Sequence, residues 1–349
     1  MRKCWPVFSL LLLTAILLAG CDAEPKRNSR KEPRTFTNIR LAAFTPVKDQ
    51  GKSNGCWAYA MLSMIESEHI LMGDSVNLSP AYAMRKRLED EFRRYYLSQG
   101  THTFTLRGMG QTLINTIAQY GIMPYDAYPD RSGMNTENLR EQLNDLAEVA
   151  IKRRTGLETT DRYIQPLLDE TFGPMPKQVS MYSVEYTPLE FAHSVFRKDE
   201  YVGVTSFTHH PFGSTFALEV PDNWEHNTFF NVPLDTLSAY ARRTVSSGHT
   251  FVWEGDISNL GFSFRNGTAM LRRGARVSQE ARQRDFERFV TTDDHCMHCV
   301  GMARDQNGEL FYIMKNSWGK DNPYGGLVYM SEEYLRLCTI ALYIPTNVF

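Results

Sequence analysis

The segment Gln50-Gly-Lys-Ser-Asn-Gly-Cys56-Trp57-Ala-Tyr-Ala60 sets a cysteine at the start of an apolar-periodic run, with a glutamine six residues before it. Trp57, Ala58, Met61, Leu62 and Ile65 recur at helical spacing, and Gly73 offers a stop. The spacing predicts a helix whose first turn carries Cys56. Unpaired N–H groups and the helix dipole at such a terminus favour a thiolate over a thiol. A thiolate there is a ready nucleophile. The glycine-bearing turn upstream lets Gln50 fold back and donate an amide hydrogen bond beside the sulfur.

Working outward, the 349 residues are 42% hydrophobic and 22% charged, which allows one large domain or two lobes and excludes broad disorder. The formal charge is −2, and residues 1–20 carry Arg2 and Lys3 but no acid, so their removal takes it to −4. Nothing in that balance points to nucleic acid as a partner.

Residues 1–20 read as a targeting segment. Arg2 and Lys3 precede an apolar run over 7–18, broken only by Ser9 and Thr14 and too short to suit a spanning helix. The run ends Leu18-Ala19-Gly20-Cys21, which resembles a bacterial lipobox. That resemblance implies an exported lipoprotein, lipidated at Cys21 and anchored to a membrane without crossing it. An ordinary secretory signal cleaved nearby is the alternative. Residues 21–36 are polar, charged and Pro-containing, and read as a flexible tether. With Cys56 free, at most one disulfide can form among Cys296, Cys299 and Cys338, so bridges do not hold this fold together.

From Thr37 to about Arg154 the pattern is mainly helical. Residues 81–97 set Met84, Leu88, Phe92, Tyr95 and Tyr96 at helical spacing, with charges of both signs that read as a solvated face. Residues 111–120 close at Gly121, and Leu139, Leu143, Leu146 and Ala150 mark a helix ending at Gly156. Beyond about Pro174 short β-rich runs appear at 202–207, 250–253, 299–303 and 310–314. Asn307-Gly308 between the last two is a hairpin signal. A helical lobe over 37–175 followed by a β-rich lobe over 176–349 makes the fold class α+β.

A nucleophilic cysteine needs a histidine and an orienting group, distant in sequence and adjacent in space. Candidates are Asp294-His295-Cys296-Met297-His298-Cys299-Val300-Gly301 and Lys315-Asn316-Ser317-Trp318-Gly319. A hairpin turning at Asn307-Gly308 brings these segments side by side. The Asn316 oxygen can then hold an imidazole N–H, and Trp318 can cover the pair.

Gln50…Cys56-Trp57, His295 and Asn316-Ser317-Trp318-Gly319 resemble the papain-type cysteine peptidase set, in chain order. The segments LSPAYAMRKRLEDEFRRYY, GMGQTLINTIAQYGIMPYDAYP and YGGLVYMSEEYL resemble the aminopeptidase C and bleomycin hydrolase branch. FTHHPFG and NVPLDTL add weaker matches, and the likeness spans roughly 37–343. It implies a papain-like two-lobed fold, a helical lobe beside an antiparallel barrel-like β lobe with the active site between them. It also implies a cysteine peptidase acting on peptides or proteins without a cofactor. Cys56 would attack as thiolate, His295 serve as base and acid, Asn316 orient it, and Gln50 help hold the oxyanion.

The family has a small residue after the histidine and a glycine six residues on, which selects His295 over His298. Alternation also puts the two histidines on opposite faces of a strand. The same alternation splits His295 and Cys299 from Cys296 and His298, so no metal site is expected there. The three cysteines are expected to be small buried hydrophobes, and His209-His210 a loop.

Several departures bear on specificity. Ser53 stands where papain-like secreted enzymes carry a disulfide cysteine. About fifteen residues separate Cys21 from the first catalytic-domain residues, too few for a papain-type propeptide. In the bleomycin hydrolase branch a C-terminal arm enters the cleft and enforces aminopeptidase action, whereas this chain stops at Phe349. Met109 replaces the first of two glycines beside the substrate backbone, and Gly110 is expected to keep the second. Trp318 is the other expected substrate-side residue. The rival readings are a thiol-dependent amidase or acyltransferase on a non-peptide substrate, and an inactive surface-binding lipoprotein of the same fold.

Overall fold

The helix expected after Cys56 forms as α1 (Cys56–Leu71), and Gly73 follows it with φ +87°. A computed structural model describes residues 34–349 apart from 182 and 183. The export segment at 1–20, the lipidation site at Cys21 and nearly all of the tether at 21–36 lie outside the described residues. Among the described residues, no helix is long and apolar enough to cross a membrane.

Four more helices follow before the sheet: α2 (Pro80–Leu97), α3 (Gly110–Tyr120), α4 (Thr136–Arg153) and α5 (Leu157–Phe172). Later come α6 (Pro188–Val195), α7 (Leu234–Ser246), α8 (Gln279–Glu287) and α9 (Glu332–Cys338). The strands begin with β1 (Phe36–Leu41), β2 (Val179–Met181), β3 (Val184–Tyr186), β4 (Tyr201–Thr205), β5 (Thr215–Ala217) and β6 (Thr228–Asn231). They continue as β7 (Phe251–Gly255), β8 (Phe262–Ser263), β9 (Thr268–Ala269), β10 (His295–Asp305), β11 (Leu310–Lys315), β12 (Leu327–Ser331) and β13 (Thr339–Pro345). Strand β1 lies where helices were expected. Its Phe36 stacks on Tyr329 at 3.8 Å, so the last residue of the stretch read as tether is packed on the sheet.

Eleven strands make one sheet, in the order β5-β6-β4-β13-β7-β10-β11-β12-β9-β8, with β1 also paired to β10. Most pairs are antiparallel, but β4/β6 and β12/β9 are parallel. The barrel-like lobe is therefore an open mixed sheet and not a closed barrel. The β10–β11 hairpin turns at Gly308, whose φ of +83° suits glycine.

Each face of the sheet meets its own helices. On β10, Cys296 joins the core around α1, while Met297 and Cys299 join the opposite core beneath α7 and α9. Helix α1 is enclosed on every side, since all residues from Trp57 to Ser67 are buried. Gly55 gives it no capping side chain. Burial of Met61, Leu62, Met64 and Ile65, each stabilising by about 1.5–3 kcal/mol, holds the helix in place of a cap.

The charged run of α2 is not a solvated face. Arg85, Arg87, Glu89 and Glu91 are buried. Arg85 pairs with Asp169 of α5 at 2.7 Å and donates to the Gly173 carbonyl at 2.6 Å. Arg87 pairs with Glu91, which also meets His102 Nε2 at 2.9 Å. Helix α5 covers Arg85, while Arg87 lies over the Trp224 ring. In α5, Thr160, Ile164, Leu168 and Phe172 keep helical spacing, but the internal Pro166 reads as a breaker. Arg87→Ala should cost about 3–5 kcal/mol by leaving Glu91 buried and under-paired. Urea unfolding at neutral pH checks this, and a loss below ~1 kcal/mol would show that the pair contributes little.

Candidate active site

Cys56 opens α1, where the first N–H groups of a helix have no intrahelical partner. A Cβ at the preceding Gly55 would lie 2.2 Å from Met84 Sδ, so a larger residue there would have to displace that buried side chain. Cys56 is half-buried, and a hydrogen bond from the Cys296 thiol is the largest influence on it. Burial opposes that bond, while a hydrogen bond and positive charge from His295 reinforce it. The sum holds Cys56 well below the ordinary thiol range.

His295 begins β10, and its Nε2 donates to Asn316 Oδ1 at 2.7 Å. Asn316 follows β11, and the same oxygen accepts the Ser317 N–H at 2.8 Å, which fixes the amide. With Nε2–H engaged, Nδ1 is the imidazole nitrogen left for Cys56. Trp318 lies over the imidazole, with ring centroids 4.8 Å apart. Gln50 is held from both ends of its side chain. Its Oε1 accepts from Ser317 Oγ at 2.6 Å, and its Nε2 donates to the Ser53 carbonyl at 2.6 Å. An amide nitrogen carries two hydrogens, so the second is available to the cleft that Gln50 lines with Cys56.

His298 sits elsewhere. It is fully buried behind α1, with Nδ1 2.8 Å from Ser63 Oγ. Lys315 Nζ donates to that same hydroxyl at 2.7 Å. Burial, aided by the Lys315 charge, pushes His298 well below the ordinary imidazole range.

The cleft of about 350 Å³ is lined by Gln50, Cys56, Arg107, Gly108, Asp222, Asp294, His295 and Trp318, among others. Gly110 is not among its walls. A Cβ there would lie 2.7 Å from the Tyr343 ring and 2.9 Å from Met61 Sδ, so this glycine serves close packing in the core. Gly108 is the glycine that borders the cleft.

Sequence reasoning missed several neighbours. Arg107 pairs with Asp222, 115 positions away in sequence, at 2.7 Å. The Asp222 N–H donates to Asp293 Oδ2 at 2.8 Å. No local pattern could have joined these segments. Cys296, Cys299 and Cys338 are buried, as expected of small hydrophobes.

The last described residues pack on α7. Arg243 of α7 donates to the Val348 carbonyl and, at 2.8 Å, to Phe349. The Phe349 ring lies 5.2 Å from that of Phe230 and 5.3 Å from that of Tyr240. Among the described residues, His209, His210 and Glu219 are close enough to share a metal ion. Gln283, oriented by the Thr208 N–H on its Oε1, donates from Nε2 to His209 Nδ1 at 3.0 Å. His209 thus keeps its proton on Nε2 and donates it to Glu219 at 3.1 Å. That is the geometry of a hydrogen-bonded cluster, with one histidine held in the wrong tautomer for a ligand.

Comparison with known proteins agrees with this geometry. Residues 177–345, which contain His295 and Asn316, match the Peptidase C1-like family. A Saccharomyces cerevisiae protein named Cysteine proteinase 1, mitochondrial, is 22% identical over 92% of this chain and 79% of its own length. Digestive cysteine proteinase 1 of Homarus americanus is 27% identical over 44% of this chain and 45% of its own. The crystal structure of PepW from Lactobacillus rhamnosis covers 90% of this chain and 82% of that one, with a TM-score of 0.72 and 16% identity. At that identity the likeness is one of fold. The chain therefore has a papain-like fold, is related over most of its length to a cysteine proteinase, and matches the Peptidase C1-like family across its β-rich part.

Proposed function

We propose that the chain is a cysteine peptidase in which Cys56 and His295 cleave peptide bonds. The observation that carries this reading is the Nε2–H bond from His295 to Asn316, 2.7 Å long, which leaves Nδ1 to Cys56. The Cys56 thiolate attacks the peptide carbonyl, and the Gln50 amide with the Cys56 N–H stabilises the oxyanion. His295 then protonates the leaving amine and later takes a proton from water to release the acyl group. Asn316 keeps the imidazole in one tautomer, and Trp318 shields the pair. Gly108, rather than Gly110, is the glycine available to the substrate backbone.

Resemblance to the bleomycin hydrolase branch favours aminopeptidase action. Such an enzyme needs an anion near the cleft to hold the substrate ammonium. Asp294, whose carboxyl lines the cleft, is a residue able to fill that role. For location we propose export and lipid anchoring through Cys21, on the sequence of residues 1–21 alone. Cys21→Ala should then move the protein from the membrane fraction to the soluble one.

Because Cys56 is held low and burial pushes Cys338 up to about 12, iodoacetamide at mildly acidic pH should modify Cys56 far faster. Equal slow labelling of both, read by peptide mass spectrometry, would sink the nucleophile assignment. His295→Ala should lower kcat/KM on the order of 10²–10⁴-fold. His298→Gln should keep most activity, and the opposite ranking would mean that the wrong histidine has been chosen. Gln50→Ala should lower kcat on the order of 10²–10³-fold with little change in KM. Digesting peptides with free and blocked N-termini separates the specificities, since an aminopeptidase leaves the blocked ones intact.

A further inference from the structure

We propose that Arg107 determines how the enzyme cuts: its guanidinium bars the cleft on the acyl side of Cys56, so that only short N-terminal pieces of a substrate fit. This rests on the reading of Cys56 as the nucleophile of a peptidase, and it supplies a structural basis for aminopeptidase action. The cleft has two walls. Cys56, Arg107 and Gly108 belong to the segments that open α1 and α3, whereas Asp222, Asp294 and His295 come from the β-rich part.

The direction of a bound peptide follows from the chemistry. The leaving amine must stand at His295, beneath Trp318. Gln50 is tied to that same end, since it accepts from Ser317, the neighbour of Trp318, at 2.6 Å. The acyl part of the substrate therefore runs the other way, towards Gly108 and Arg107. Their segment is held beyond Cys56, because the Leu106 carbonyl accepts from Trp57 Nε1 at 3.1 Å.

On this side the two walls are joined. Arg107 Nε meets the two Asp222 carboxylate oxygens at 2.7 and 3.0 Å, and Nη2 donates to the Asp293 carbonyl at 3.0 Å. The Asp222 N–H donates to Asp293 Oδ2 at 2.8 Å, so the two anchors are tied to each other. A planar guanidinium gripped at two nitrogens is held far more firmly than the point charge of a lysine. A contact of 2.7 Å leaves no passage between the walls, for an extended chain needs about 4.7 Å to a neighbouring strand.

The far anchor is fixed in turn. Trp224 Nε1 donates to the Arg107 carbonyl at 3.2 Å, and its ring lies 4.0 Å from the Arg87 guanidinium and 4.8 Å from that of Arg94, both of α2. Glu225 accepts from Asn115 of α3 at 3.2 Å. The segment after Pro221 is thus fastened to α2 and α3, which makes the bar part of the framework. Asp222 is buried beneath it, while the Arg107 side chain stays 47% exposed as the face that a substrate meets. Asp294, next in sequence to one anchor, lines the space that remains open, where the ammonium of a substrate halted at the bar can reach it.

The test gives the full chain one peptide sequence with a free and with an acetylated N-terminus, lengthened stepwise before the scissile bond, and reads products by mass spectrometry. Wild type should release short N-terminal pieces from the free peptides and leave the long acetylated ones intact. Arg107→Ser and Asp222→Ala should each raise the ratio of internal cleavage to N-terminal trimming on the order of 10-fold or more. A purely structural role would lower both activities together and leave the ratio unchanged. Unfolding curves establish that the variants fold, and the wild-type products test the bar without any variant. Internal cleavage of acetylated peptides by wild type, or an unchanged ratio in both folded variants, would overturn the proposal while the peptidase reading stands. If wild type and variants cleave no peptide at all, both readings fail together.

Discussion

The site depends on one contact, between the first turn of α1 and the first residues of β10. Neither partner can shift easily. Helix α1 is buried from Trp57 to Ser67, and β10 is paired along both edges, with β7 and β1 on one side and β11 on the other. Cys56 and His295 therefore take their separation from two core elements, not from mobile loops. Such support is what catalytic geometry requires, because small misplacements of reacting groups cost large factors in rate. Asn316 inherits the same rigidity, since the β10–β11 hairpin carries it back beside His295.

This dependence explains which parts of the protein were legible in the sequence. The helix after Cys56 and the Asn307-Gly308 hairpin are local patterns, and each was readable from a few residues. Once both are granted, His295 and Asn316 must meet, although they lie 21 positions apart. The choice of His295 over His298 followed from the spacing to Gly301, and the structure places His298 against Ser63 of α1 instead. What escaped was decided by tertiary partners. The α2 charges looked like a solvated surface because the groups that bury them lie outside the helix, Asp169 of α5 against Arg85, and His102 and Trp224 against the Arg87–Glu91 pair. Strand β1 offered no signal of its own and exists through pairing with Gly301–Asp305 of β10. Gly110 shows the same limit, for its sequence position suggested the cleft while Tyr343 and Met61 show that it is a packing glycine.

Cys296 meets the expectation for a cysteine on a core strand, for it is buried as a small hydrophobe in the core around α1. Its strand begins at His295, so the burial that encloses α1 extends to the edge of the site.

The same enclosure answers an electrostatic difficulty. Glu254 pairs with Cys296 in the sheet, and Asp293 and Asp222 stand close by, so up to three carboxylates could oppose the thiolate. Burial pushes Glu254 well above the ordinary carboxyl range, and the charges of Asp293, Asp222 and Cys56 add to the shift. Asp293 and Asp222 are pushed up in the same way, although Arg107 draws both down. Glu254 is thereby kept as a neutral acid under conditions where Cys56 is charged. Like charges in a site of low effective dielectric repel far more strongly than in water. An ionised Glu254 would therefore disfavour the thiolate. Burial penalises the Cys56 charge directly, yet by holding its acidic neighbour protonated it also removes a further cost to that charge.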